Sequence, residues 1–250
     1  MSWEAQRLGL ALQFMTRLPV PWHVEYSAEA QADSARYYPL VGVVVGSIAA
    51  FVLWIAQLIW AWPIAVIMAV ATAVWITGAL HEDGLADTAD GLGGAATRER
   101  ALDIMRDSSI GVYGLIALLV VVSLKVFALF SMSFLTAYGA LLLAHVISRY
   151  APVALIHFMT YARREGAKFA TPSISSGGHG LGLLTAVVFG VVGMVFLGWS
   201  LLLGLLIASL AVLWLSWRAQ NKLGGYTGDI LGASQQLAEL GIYLGLIAWA

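Results

Sequence analysis

The chain has 250 residues, of which 60% are hydrophobic and only 11% are charged. A soluble domain carries roughly 25% charged residues to keep its surface wetted, so this composition excludes an ordinary water-soluble globule. The absence of cysteine excludes disulfides, thiolate metal ligands and cysteine nucleophiles. The formal net charge of -1 gives no reason to expect a nucleic-acid partner.

Apolar stretches long enough to cross a bilayer, about 20 residues each, recur along the chain. Residues 3–17 are shorter and amphipathic, and they predict a helix lying in the membrane interface. After them the sequence predicts six or seven membrane-spanning helices, at 38–60, 62–80, 112–132, 134–158, 181–198, 199–217 and 230–250. The expected fold is an all-α, polytopic integral membrane bundle forming one domain over residues 1–250.

Basic residues gather on one side of these predicted spans. Eleven of them fall in the N-terminal segment or in the connections after spans two, four and six: Arg7, Arg17, Arg36, Arg98, Arg100, Arg106, Arg163, Arg164, Lys168, Arg218 and Lys222. Because basic residues are retained in cytoplasmic loops, we expect the N-terminus and these connections in the cytoplasm and the C-terminus outside. Most acidic residues fall on the same side, which indicates a polar working face there.

Three aspartates follow the second predicted span at helical spacing. On a helix, Asp83, Asp87 and Asp90 occupy positions i, i+4 and i+7 and share one face. Carboxylates this close repel one another unless a cation lies among them, and their hard oxygen ligands suit Mg²⁺. The pattern therefore predicts a magnesium site, with helix capping and exposure to water as the alternative.

Two further clusters fall in connections on the same side. Arg106 precedes Asp107, Ser108 and the third span, where it could clamp a phosphate beside a helix N-terminus or act only as a topological arginine. The stretch from Lys222 to Ala233 is rich in glycine, which lets backbone amides approach an anion. Its Asp229 could join the acidic cluster around a metal, while a flexible linker with an aspartate cap is the alternative.

Three charges fall inside predicted spans, where charges are costly and usually functional. For Lys125 and Glu239 we expect structural or supporting roles. Arg149 lies nearer the basic side and could reach the site. The seventh span is the weakest because it contains Glu239 together with three other polar residues, Ser234, Gln235 and Gln236.

At these clusters the sequence resembles the cobalamin synthase family, the adenosylcobinamide-GDP ribazoletransferases. The stretches that carry the resemblance run in family order and cover most of the chain: Phe14–Pro21, Tyr38–Gly42, His81–Gly94, Met105–Gly114, Ser148–Arg149 and Gly224–Ala233. Glu82 departs from the family pattern, while the three aspartates beside it are intact.

The resemblance implies a late step of vitamin B12 assembly in a prokaryotic cytoplasmic membrane. Adenosylcobinamide-GDP would be joined to α-ribazole or its 5′-phosphate, with release of GMP and a requirement for Mg²⁺. The catalytic candidates are Asp83, Asp87, Asp90, Arg106 and Asp229, and the four aspartates are also the candidate metal ligands. The substrate-binding candidates are Arg17, Arg149, Ser108, Gly224, Gly225 and Thr227.

Two other functions are weighed against this one. CDP-alcohol phosphotransferases perform analogous chemistry in membranes, but their pattern places Ala-Arg after Asp-Gly-x-x, whereas Ala86 here precedes Asp87. A cation-coupled transporter would also use acidic residues, usually near the bilayer midplane. The acidic clusters here fall in connections beside glycines and arginines, which favours an enzyme. A homo-oligomer is compatible with the sequence.

Overall fold

The computed structural model describes residues 2–163 and 176–248, and these residues are mostly helical. A 3₁₀-helix covers Ser34–Tyr37. The α-helices in this part of the chain are α1 (Trp3–Met15), α2 (Ala28–Asp33), α3 (Tyr38–Gln57), α4 (Trp62–Thr77), α5 (Leu80–Gly94), α6 (Arg98–Ile104), α7 (Val112–Phe130), α8 (Phe134–Ser148), α9 (Tyr150–Phe158), α10 (Ser176–Leu197), α11 (Ser200–Leu223) and α12 (Gly228–Ile247).

Six helical segments among the described residues are long and apolar enough to cross a membrane: Ala28–Gln57, Val112–Phe130, Phe134–Phe158, Gly177–Leu197, Ser200–Leu223 and Gly228–Ile247. A seventh crossing is added if α4 and α5 are taken as one bent pair. The prediction of an all-α, polytopic membrane protein with about seven spans is therefore confirmed.

Several predicted boundaries change. The second span was expected to end at residue 80, but α4 ends at Thr77. The sixth extends past residue 217 to Leu223. In its last turn the ammonium of Lys222 donates to the carbonyls of Ala95 and Ala96 at 2.7 and 2.9 Å. Two of the basic residues used to predict orientation, Arg164 and Lys168, lie outside the described residues. Residues 249 and 250, the last two of the seventh predicted span, also lie outside them.

The N-terminal helix α1 is fixed against the segment that precedes α3. The buried Arg7 donates from Nε to Asp33 at 2.6 Å, and its guanidinium lies 3.3 Å from the centre of the Trp3 ring. Arg36 pairs with the same aspartate. Arg7 and Arg36 thus have specific contacts besides any effect on topology. That α1 lies in the membrane interface stays a prediction.

Helix α12, predicted as the weakest span, is the central helix of the bundle. It packs against α5, α7, α8, α9 and α11. The polar residues that weakened the prediction are all buried, and the most exposed of them, Glu239, is only 4% exposed. Because these side chains face protein and not lipid, they have hydrogen-bonding partners within the bundle, where polar residues in membrane proteins normally lie.

A buried polar network surrounds Glu239. Its Oε2 lies 3.1 Å from the ammonium of Lys125 on α7 and 3.6 Å from Nδ1 of His145 on α8. Lys125 also donates to Oε1 of Gln236 at 2.6 Å, and Nε2 of Gln236 donates to Oε1 of Glu82 at 2.9 Å. The network therefore connects α5, α7, α8 and α12 inside the bundle.

A sharp bend sets the direction of α5. Gly78 and Ala79 adopt left-handed conformations with φ of 65° and 58°, and the axes of α4 and α5 differ by 86°. Left-handed backbone is uncommon for a residue with a side chain, so Ala79 marks a locally strained turn. We treat the membrane-spanning part as ending with α4, because α5 runs nearly perpendicular to it.

Two glycines allow α5 to pack directly on the start of α12. A Cβ on Gly84 would lie 2.8 Å from the carbonyl oxygen of Asp229, and one on Gly232 would lie 3.3 Å from Cα of Gly84. Larger residues at these positions would separate the helices. The close approach places the aspartates of α5 beside Asp229, which is more than 130 residues further along the chain.

Candidate active site

A cavity of about 360 Å³ lies where α5, the start of α12, the end of α1 and the connections around residues 105–108 and 161–163 meet. Five of the residues predicted from the sequence line it: Asp83, Asp87, Arg106, Ser108 and Asp229. Its size falls within the range of small-molecule sites, about 300–1,000 Å³. The predicted acidic cluster therefore borders a cavity that can take a ligand.

Three of the aspartates that line the cavity, on α5 and at the start of α12, differ in environment. Asp83 is exposed, whereas Asp87 and Asp229 are half-buried. The pKa of Asp87 is raised from 3.8 to about 7, mainly by burial and also by the negative charges of Asp83, Asp229 and Asp90. A carboxyl group with this pKa can exchange a proton near neutral pH.

Arg163 is the most important site residue that was not predicted as one. It donates from Nη2 to Oδ2 of Asp229 at 2.8 Å, while its buried Nε has no hydrogen-bond partner among the described residues. Because Arg163 also lines the cavity, its guanidinium is placed where it could meet an additional anion. From the sequence, Arg163 was used only to predict membrane orientation. No local pattern connects it with Asp229, which is 66 positions further along the chain.

A short backbone pairing brings Arg163 to Asp229. Tyr161 and Tyr226 form an isolated parallel bridge, in which the amide of Ala162 donates to the carbonyl of Tyr226 at 2.8 Å. The amide of Tyr226 in turn donates to the carbonyl of Thr160 at 2.9 Å. Tyr161 also lines the cavity, and burial raises the pKa of its hydroxyl, so it stays neutral.

Arg106 and Ser108 border the cavity in the exposed connection between α6 and α7. Asp107 shapes this connection because its Oδ1 accepts from the amide of Ser109 at 3.0 Å. This hydrogen bond and a second one from the side chain of Ser109 lower the pKa of Asp107, so it is ionised at neutral pH. Arg106 and Ser108 are therefore placed where a phosphate at the cavity mouth could meet them.

Asp90 makes different contacts from the other aspartates of α5. It is buried, and its two carboxylate oxygens accept hydrogen bonds from the amides of Gly111 and Gly114 at 2.8 and 2.9 Å. These amides belong to the start of α7, which a carboxylate stabilises. Asp90 does not line the cavity. Its predicted role as a metal ligand stays a prediction, and the structure gives it the contacts of a helix cap.

The remaining substrate-binding candidates also lie outside the cavity lining. Arg149 is 1% exposed inside the bundle and donates to the carbonyl of His145 at 2.9 Å, while the side chain of Arg17 lies against Gly78 at the bend. Gly224 ends α11 with φ of 75°. Gly225 lies against Thr160 without room for a Cβ.

Thr227 acts on the site through Asp229. It is fully buried at the N-cap of α12, where its Oγ1 accepts from the amide of Ile230 at 3.3 Å. The hydroxyl also lies 3.1 Å from Oδ2 of Asp229 and donates to it. Together with Arg163 it fixes the orientation of this carboxylate, so its place is beside the cavity and not within it.

The carboxylates that line the cavity are possible ligands for Mg²⁺. No group of three or more His, Asp or Glu side chains in the described part of the chain is arranged to hold a metal ion. The cavity lining nevertheless has four aspartates and only two arginines, Arg106 and Arg163. Mg²⁺ commonly takes one or two protein carboxylates and completes its shell with water and substrate phosphate. The residues present fit that kind of site.

The fold and the site together define a polytopic helical membrane protein with a carboxylate- and arginine-lined cavity at one end of its bundle. Comparison with known proteins then gives the family. The profile of the cobalamin-5-phosphate synthase family matches residues 7–247, and the chain belongs to this family. The resemblance inferred from the sequence is confirmed.

Individual relatives extend over the same length. The chain is 46% identical to the adenosylcobinamide-GDP ribazoletransferase of Leptothrix cholodnii, over 98% of this chain and 96% of that protein. It is 42% identical to the enzyme of the same name from Shewanella amazonensis, over 98% and 95%, and 38% identical to that from Vibrio parahaemolyticus, over 100% and 94%. No solved structure matches.

Proposed function

We propose that this protein joins adenosylcobinamide-GDP to α-ribazole 5′-phosphate, or to α-ribazole, and releases GMP. The names of its relatives supply the substrates. The observation that carries the proposal is the cavity itself, whose lining includes Asp83, Asp87 and Asp229 together with the partly unsatisfied Arg163. Such a site suits a pyrophosphate and an attacking hydroxyl.

The reaction requires one bond to form and one to break at a single phosphorus atom. The hydroxyl oxygen of the ribazole would attack the phosphorus attached to cobinamide, and the bond from that phosphorus to the GMP oxygen would break. Asp87 is suited to accept the hydroxyl proton because its pKa is about 7. Arg163 and Arg106 would hold the phosphate oxygens and balance the charge that develops on the departing GMP.

Asp83 and Asp229 are the residues that would hold Mg²⁺, and Asp87 between them is a further candidate. When bound, the ion would neutralise phosphate charge and stabilise the leaving group. Thr227 and Arg163 would keep Asp229 in place through their 3.1 and 2.8 Å contacts. This division of roles predicts that Asp229→Asn changes the Mg²⁺ requirement, whereas Asp87→Asn mainly lowers turnover.

The proposal also includes location. In this proposal the N-terminus, α5 and the cavity lie on the cytoplasmic side of a prokaryotic inner membrane, and the one-sided distribution of arginine and lysine supports that orientation. Reporter fusions after residues 95 and 250 should report opposite sides of that membrane. Two cytoplasmic reports would mean an even number of crossings.

The direct test is GMP release by the purified protein in detergent. With adenosylcobinamide-GDP and α-ribazole 5′-phosphate, GMP and the joined product should appear in equal amounts, and chelation of divalent cations should stop both. Turnover without membrane compartments would also separate an enzyme from a transporter. A folded preparation that forms no GMP with both substrates and Mg²⁺ present would refute the proposal.

A further inference from the structure

The cavity has two ends that differ in chemistry, arranged along α5. Its wall at the start of α5 is apolar and aromatic and is formed by Phe14, Met15, Tyr38, Leu80 and Pro152. The end of α1 is held there because the amide of Arg17 donates to the carbonyl of Ile76 at 2.7 Å. We call these five wall residues the aromatic end.

The opposite end lies further along α5 and is polar. Met105 packs against Gly91 near the C-terminus of the helix, and the Arg106–Ser108 connection continues the cavity wall from there. Asp83 and Asp87 lie between the two ends. Leu80 and Asp87 are separated by about 10 Å along the helix axis, at 1.5 Å per residue. The aspartates therefore occupy the middle of an elongated cavity.

The aromatic end combines flat apolar surfaces with one unsatisfied polar atom. The rings of Phe14 and Tyr38 are stacked, with centroids 6.1 Å apart and planes 15° from parallel. His81 also lines the cavity next to Leu80, is 4% exposed, and has an Nε2 without a hydrogen-bond partner in the described ranges. Leaving such an atom unsatisfied costs free energy, so a ligand with one matching atom would be favoured.

We propose that the aromatic end binds the base of the acceptor nucleotide, and that His81 Nε2 hydrogen-bonds to the single unsubstituted nitrogen of that base. The proposal rests on the proposed function, which makes α-ribazole the acceptor. Its benzimidazole base is flat and has no exocyclic amino or carbonyl group. Guanine has an edge with several donors and acceptors, and the five residues of the aromatic end offer that edge only the hydroxyl of Tyr38.

The geometry of phosphoryl transfer gives a second reason for this assignment. The attacking and leaving oxygens lie roughly in line on opposite sides of phosphorus. A phosphorus held at the central aspartates would therefore have the acceptor on one side and GMP on the other. With the acceptor base at the aromatic end, GMP falls at the polar end beside Arg106 and Ser108, where charged and hydroxyl groups can pair with it.

Calorimetric titration of the purified protein with α-ribazole 5′-phosphate tests the assignment without requiring turnover. Phe14→Leu should raise the Kd for this ligand about tenfold, the cost of losing one stacking contact. The matched change Phe51→Leu, at a lipid-facing position 55% exposed, should leave the Kd unchanged. In wild-type protein, an analogue with indole in place of benzimidazole should bind several-fold more weakly, and this difference should vanish in His81→Leu.

The outcomes separate the inference from the proposed function. If the ligand binds as described but no GMP is released when both substrates are present, the proposed reaction is wrong and the subsite stands. If wild-type protein fails to bind α-ribazole 5′-phosphate, or Phe14→Leu weakens adenosylcobinamide-GDP instead, the aromatic end does not hold the acceptor base. Equal binding of the indole analogue by wild-type protein would overturn the role of His81 Nε2.

Discussion

Exchanging Glu82 and Gln236 tests whether the Glu82 carboxylate is a structural charge of the bundle or part of the active site. Glu82 does not line the large cavity. It borders a small internal cavity of about 20 Å³ together with Lys125, Arg149 and Glu239. The positive charges of Lys125 and Arg149 therefore balance the negative charges of Glu82 and Glu239. Gln236 lies between Glu82 and Lys125 and is hydrogen-bonded to both.

The magnitudes follow from these contacts. Glu82→Gln removes one negative charge and the charged acceptor of the 2.9 Å bond from Gln236, and a hydrogen bond to a charged group contributes about 1.5–3 kcal/mol. Gln236→Glu alone adds a third carboxylate to those of Glu82 and Glu239. The double variant restores the balance, because the new carboxylate on α12 faces Lys125 and the new amide on α5 can donate to it.

Unfolding in mixed micelles with increasing SDS gives the stability of each variant, and GMP release gives its activity. Each single variant should lose about 2 kcal/mol, and the double variant should recover at least about 1 kcal/mol through coupling between the two sites. Glu99→Gln, at an exposed position on α6, is the matched control. If the double variant is no more stable than the less stable single variant, the charge-balance argument is refuted. If the double variant is stable but releases no GMP, Glu82 takes part in catalysis.

Four other results are expected from the same enzyme. Because the pKa of Asp87 is raised to about 7 and its carboxylate form is the base, kcat/KM should rise with pH through about 7, and a flat profile there would contradict this role. Asp83→Asn should raise the Mg²⁺ concentration needed for half-maximal rate at least about tenfold, and an unchanged requirement would remove Asp83 from the metal site. Asp90→Ala should lower the free energy of unfolding by at least about 3 kcal/mol through loss of two amide hydrogen bonds to a charged group, with the Mg²⁺ requirement unaltered in rate measurements. Gly84→Ala should cost about 1–3 kcal/mol and reduce turnover, since its Cβ would meet the Asp229 carbonyl at 2.8 Å, whereas Gly94→Ala meets nothing closer than 3.7 Å and should be tolerated.

Several features of the site were visible in the sequence because they depend on neighbouring residues. The helical spacing of Asp83 and Asp87 placed both on one face, and both line the cavity. The same spacing put Asp90 on that face as well, but α5 is packed between the cavity and the start of α7. Asp90 therefore meets the amides of α7, which no periodicity within α5 could indicate.

Composition and hydropathy alone determined that this chain is a helical membrane protein with about seven crossings, since a bilayer demands long apolar segments whatever their neighbours are. Tertiary structure alone decided which polar residues meet. The left-handed pair Gly78 and Ala79 turns α5 by 86°, and the contact of α5 with α12 at Gly84 brings Asp229 to the other aspartates. Residues far apart in the chain come together only through such packing, because local sequence fixes the course of each helix but not the helix it will lie against.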